Sequence, residues 1–189
     1  MRKYLCPVLV LAVFGIASLP VRAENYVIDD NHSSVSFKID HLGLSWIHGR
    51  FNEVSGNFTV DKDEPSKSSF ALTIKAESID TGNTKRDQHL RSPDFFNVKQ
   101  FPLLSFKSTS VKAVKDGYEV TGDFTLHGQT QSITFTLMGG KKAEFPKGVQ
   151  RTGYSTELAL KRSDFGINKF AGALGEEVQI AVSFEGAKK

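Results

Sequence analysis

The densest concentration of reactive side chains is the run Thr81-Gly82-Asn83-Thr84-Lys85-Arg86-Asp87-Gln88-His89-Leu90-Arg91-Ser92. Cations, a carboxylate and an imidazole share one short segment. Arg presents a planar fork that matches an anion bidentately, so one chemistry for this run is a clamp on an anionic head group. The other is internal: Arg86 and Asp87 stitch the segment to the rest of the fold by side-chain hydrogen bonds. We favour stitching. The five histidines, His32, His41, His48, His89 and His127, contain no i, i+4 pair, and the chain has no CxxC or HExxH. A zinc site needs such spacing. His32 and His41, nine apart, fall on opposite faces of a regular strand. Hydrogen-bonding roles at core or rim positions are therefore expected, with no metal and no cofactor. Ser, His and Asp are plentiful, but no G-x-S-x-G elbow is present, and a triad is recognised by geometry rather than abundance. No enzyme activity is expected.

The elements that must position these residues are strands. Period-two alternation puts Val35, Phe37 and Ile39 on one face. The same face holds Phe70, Leu72 and Ile74, then Leu104 and Phe106, Val120, Phe124 and Leu126, and Ile133, Phe135 and Leu137. Tyr154, Thr156, Leu158 and Leu160 continue it, and Val178, Ile180, Val182 and Phe184 close it. Shorter strands are expected near Trp46–Phe51 and Gly56–Val60. Turn chemistry separates the runs at residues 63–66, 115–117, 127–129 and Gly139-Gly140. Residues 84–92, ended by Pro93, break the rhythm and predict a short helix. Residues 164–175, with three glycines, predict an irregular loop. About eight one-sided strands at short spacing predict an all-β antiparallel sandwich or barrel, and at this count a barrel is just wide enough to fill itself or hold one small ligand.

The N-terminus carries a secretory pattern. Arg2 and Lys3 precede an uncharged run from Val8 to Leu19, and Val21-Arg22-Ala23 offers a cleavage site. Residues 1–23 are expected to be a cleaved signal peptide, since a spanning helix needs roughly 20 apolar residues. Residues 24–189 form one domain. The leader holds Arg2, Lys3, Arg22 and Cys6, the only Cys. Without it, 21 basic and 21 acidic residues remain, with no thiol and no disulfide. Nucleic-acid binding demands a basic excess, so no nucleic-acid partner is expected. Of the 15 Phe, all but Phe14 lie in the exported part.

Ordered blocks of sequence sharpen this. Asp29-Asp30-Asn31-His32-Ser33-Ser34-Val35-Ser36-Phe37 with His41-Leu42-Gly43 resembles the opening of the YceI-like family of bacterial polyisoprenoid-binding proteins. Ser78-Ile79-Asp80-Thr81-Gly82 with residues 86–96 is similar to the family's most distinctive block. Phe101-Pro102 with Phe106-Lys107-Ser108-Thr109, Leu126-His127-Gly128-Gln129-Thr130 and Arg162-Ser163-Asp164-Phe165-Gly166-Ile167 resemble later ones, with Gln129 standing where the family favours a β-branched residue. The resemblance implies an extended eight-stranded antiparallel β-barrel, lipocalin-like, that resides in the periplasm and binds a long amphiphile without catalysis. The cargo expected is a polyisoprenoid, polyprenyl phosphate or isoprenoid quinone; a fatty acid or amide is the alternative. An apolar tail is expected among Phe37, Ile39, Phe70, Leu72, Ile74, Phe106, Phe124, Leu126, Phe135, Leu158 and Ile180. Head-group candidates at a mouth are Arg86, His89, Arg151 and Arg162. A transient contact with an inner-membrane protein is a further expectation, and the oligomeric state is left open. Two readings from other classes stand beside this one: an envelope enzyme acting on lipid or sugar, and a stress or scaffold protein whose barrel is packed solid.

Overall fold

A computed structural model describes residues 23–189, so the leader expected at residues 1–23 lies, Ala23 aside, outside the described residues. Ten strands form: β1 (Glu24–His41), β2 (Ser45–Phe51), β3 (Val54–Val60), β4 (Ser69–Lys75), β5 (Ile79–Asp80), β6 (Leu103–Val114), β7 (Gly117–Leu126), β8 (Gln129–Glu144), β9 (Gln150–Lys161) and β10 (Leu174–Lys188). Every neighbouring pair is antiparallel. The order is β10-β9-β8-β7-β6-β4-β3-β1, and β1 pairs again with β10. That closes an eight-stranded barrel, in which β8 and β9 are paired only between Met138–Glu144 and Gln150–Ser155, and β5 pairs with β2 alone. β2 extends the β3 position along the second half of β1, and β5 extends β4 in the same way.

Two expectations are corrected. β1 begins at Glu24, well before Val35, because its first residues pair with β3. The polar stretch Asp29–Ser33 hides this half of the strand, and a register shift there interrupts the period-two pattern. Gly139-Gly140 is not a turn. It is an irregularity inside β8, with φ of +135° and +87°, where a side chain at Gly139 would collide with the Gly153 carbonyl. The glycines permit a bulge, and the chain reverses between Glu144 and Gln150 instead.

One end of the barrel is sealed by rings. Phe58 stacks on Tyr26 at 4.9 Å and on Phe70 at 5.7 Å, and meets Tyr154 and Phe184 edge-on. All five are buried. Such pairs add about 0.5–1.5 kcal/mol each beyond area burial. Gly186 lets the plug form, because a Cβ there would sit 2.4 Å from the Phe58 ring.

Charges fasten the β1 seam beside this plug. The Glu24 carboxylate accepts from Lys142, from Lys188 Nζ at 2.9 Å and from the Tyr26 hydroxyl at 2.9 Å. Asp29 accepts from Arg151 at 2.6 Å and pairs with His32 at 2.9 Å. Lys142 first, for Glu24, and Arg151 first, for Asp29, hold each carboxyl down to about 2 from ordinary values of 4.5 and 3.8. A depressed acid contributes stability that is complete above its ordinary pKa and is lost as pH falls through the folded one. The melting temperature is therefore expected to hold from neutrality to about pH 4.5, then to fall progressively toward pH 2. Glu24→Gln should flatten that fall in a pH series of thermal melts.

Candidate functional site: an apolar bore with one mouth

From the ring plug toward the other end, the barrel stays open inside. A cavity of about 370 Å³ runs along its axis, within the range of about 300–1,000 Å³ typical of small-molecule sites. All eleven residues expected around an apolar tail line it: Phe37, Ile39, Phe70, Leu72, Ile74, Phe106, Phe124, Leu126, Phe135, Leu158 and Ile180. Alternation places them there, since inward positions on successive strands converge on one axis. Their burial is graded. Phe70, Ile74 and Phe106 are buried, whereas Phe37, Ile39, Leu72, Phe124, Leu126, Phe135, Leu158 and Ile180 are only part-buried although they point inward. In a filled barrel these side chains would bury one another. Here they face empty space.

The mouth is built by the segments that break the strand pattern. α1 (Thr84–Arg91) starts at Asn83, whose side chain accepts the Arg86 N–H at 3.1 Å, a standard N-cap. Eight residues are too few to hold a helix in water, so side chains fix it. Thr81 is the anchor. Its N–H and hydroxyl both donate to Asp87 Oδ1, at 2.9 and 2.5 Å. Arg86 Nε donates to the Thr81 hydroxyl at 2.7 Å, and its second nitrogen to the Thr81 carbonyl at 2.8 Å. Arg91 binds the carbonyls of Glu77 and Ile79. The expected stitching is present, but Arg86 and Asp87 meet through Thr81 rather than as an ion pair.

The four head-group candidates separate. Arg86 and His89 line the mouth. The His89 ring lies edge-on to Phe95 and Phe170, and its Nε2 contacts Asp94 at 2.9 Å. Arg162 also lines the cavity but is 5% exposed, and its guanidinium donates to the carbonyls of Gly175, Ile167, Lys169 and Leu174. It is the internal brace of the 162–175 loop. Arg151 lies outside the cavity, beside the plug, where it binds Asp29 and the Phe145 carbonyl. A pairing register, invisible in sequence, carries it to the wrong end.

Leu90, Phe95, Phe96, Phe165 and Phe170 also line the bore and were not anticipated. The signal was present: apolar residues stand out within otherwise polar, non-strand segments. Thr156 was legible as an inward position but not as an odd one. Its hydroxyl is the single buried side-chain polar atom without a hydrogen-bond partner among the described residues. Burying an unpaired hydroxyl costs about 1–3 kcal/mol. Thr156→Val keeps the shape and removes that cost, so the melting temperature is expected to rise by about 2–4 °C. A fall in calorimetry would show that the hydroxyl is paired in solution.

With this geometry in place, likeness to known proteins can be weighed. The YceI-like domain matches residues 26–186. Protein YceI of Salmonella arizonae is 40% identical over 171 residues, covering 88% of both chains. Among solved structures, Burkholderia cenocepacia BcnA superposes with a TM-score of 0.75 at 23% identity, covering 84% of this chain and 98% of its own. A polyisoprenoid binding domain from Saccharophagus degradans gives 0.62 at 15% identity, covering 87% and 98%. The last two share the fold. The domain match, which takes in both the ring plug and the mouth, shows that this chain belongs to the YceI-like family.

Proposed function

We propose that this protein is a periplasmic carrier that sequesters a long-chain polyisoprenoid, such as a polyprenyl phosphate or isoprenoid quinone, with its tail in the barrel. The observation that carries this is the half-buried state of eight inward apolar side chains around an open bore. A tail that buries roughly 400 Å² there gains roughly 10 kcal/mol at about 25 cal/mol per Å². Ordering the tail and the mouth removes several kcal/mol of that. The class of cargo is supported by a neighbour that shares the fold, the Saccharophagus degradans protein, which is a polyisoprenoid binding domain. Export is supported by the leader pattern at residues 1–23. The head group sits at the mouth, within reach of Arg86 and His89.

Native mass spectrometry of protein from the periplasmic fraction tests this. The expected result is an N-terminus at Glu24 and a co-purified apolar mass that grows in isoprene increments. A fatty-acid mass would reassign the cargo, and conversion of the bound mass over time would mean turnover. Absence of any adduct, together with failure to bind added prenols, would end the carrier proposal.

A further inference from the structure

Three exposed apolar side chains near the mouth, Leu42, Leu44 and Trp46, do not line the cavity. The β1–β2 turn places Leu42 and Leu44 at its tip and Trp46 just after it. Leu44 is 81% exposed, Leu42 54% and Trp46 45%. Trp46 and Ile47 show the alternation: Ile47 lines the bore and Trp46 points away from it. The turn is tied to the mouth, because the Leu42 N–H donates to the Ala173 carbonyl at 2.9 Å. Phe170, three residues before Ala173, is half exposed and lines the cavity from its other side.

The β1–β2 turn does not ask for large apolar side chains at its tip, and Phe170, although it packs on His89 and Phe95, adopts a similar backbone. Leu42 has φ of +59° and Phe170 of +56°. In that left-handed region Asn or Gly is cheaper than a bulky side chain. Large apolar residues therefore occupy strained, exposed turn positions, at a conformational and a solvation cost. Two lysines flank the rings: Lys38 Nζ lies 4.9 Å over Trp46, and Lys169 Nζ lies 5.6 Å over Phe170. Leucines at a tip, a Trp behind them and long cationic stems alongside are the composition of an interfacial anchor, apolar ends in the acyl boundary and charged ends at the head groups. Of the acids at this end, Asp94 pairs with Lys169 and His89, Asp40 accepts the Gly43 N–H and Glu176 accepts from Ser163, while Glu177 is exposed.

We propose that this rim is a membrane-docking surface, with which the barrel sets its mouth on a phospholipid bilayer so that cargo passes between bilayer and bore without crossing water. The proposal rests on the carrier reading for its purpose, but not for its detection. Trp46 is the only Trp of the chain, so its emission reports the rim directly. Added phosphatidylethanolamine–phosphatidylglycerol vesicles are expected to shift that emission to the blue, and brominated lipids to quench it. Leu42→Asn with Leu44→Ser is expected to lower vesicle partitioning by about tenfold or more. Binding of a prenol delivered from solution should stay unchanged in the same variant. Phe145→Ser, which removes an exposed ring at the opposite end, should partition like the parent protein. An unshifted Trp46 with intact prenol binding would overturn docking and leave the carrier reading standing. Vesicle binding without prenol binding would uphold docking and end the carrier reading. A dimer that the rim variant dissociates, without vesicle binding, would assign the surface to a second copy and overturn the proposal.

Discussion

Arg162→Met is expected to lower the melting temperature by about 6–12 °C. The guanidinium is buried and donates to four carbonyls of the loop it braces, at 2.7 to 3.4 Å. Met fills similar space but leaves those carbonyls without donors. An unpaired buried polar group costs about 1–3 kcal/mol. Rehydration of some carbonyls brings the total to about 3 kcal/mol, and each kcal/mol is worth about 2–4 °C at this chain length. Lys should rescue little, because an ammonium is a point donor and cannot span a fork of acceptors. Cargo affinity should fall with stability, since the same loop carries Ile167, Phe170 and Leu174 into the cavity wall. The two readouts separate the roles. A parent-like melt with lost binding would make Arg162 a head-group ligand instead of a brace.

Leu158→Trp should do the reverse, sparing the fold and injuring the bore. Leu158 lies on β9 between the plug ring Tyr154 and the brace Arg162, paired with Ile180, and both face the cavity part-buried. In a packed core a ring of this size costs about 1–3 kcal/mol in strain. In the open bore it has room, so the melting temperature should stay within a few degrees of the parent. Displacing roughly 60 Å² of tail costs about 1.5 kcal/mol at about 25 cal/mol per Å², close to tenfold in affinity. Long prenols, which must pass position 158, should lose about that much, and short ones that stop nearer the mouth should lose less. Titration with a chain-length series alongside thermal melts measures both. Marked destabilisation with no dependence on chain length would mean that the bore is filled in solution.

How far the sequence reached differs between the barrel wall and the mouth. The wall was legible because side chains in a strand alternate with a fixed period of two, so Phe124 and Leu126 must share a face whatever surrounds them. Strand count left a sandwich or a barrel, the family resemblance pointed to the barrel, and the inward set followed as a list. α1 was legible from the loss of alternation and from Pro93. The ends of the barrel were not. Arg86, Arg151 and Arg162 are alike in sequence, each a cation beside a strand or loop. Pairing register sends Arg151 to the plug, and long-range packing buries Arg162 against carbonyls 5 to 13 residues away, leaving Arg86 with His89 at the mouth.

By itself the sequence determined the element types, the inward faces and the family resemblance, all of which depend on neighbours along the chain. Only the tertiary structure decided which end is closed, because that turns on rings from four other strands meeting around Phe58. It also decided that the bore is open. Volume left empty is the difference between a wall circumference set by strand count and the side chains that fill it, and no local pattern carries that difference.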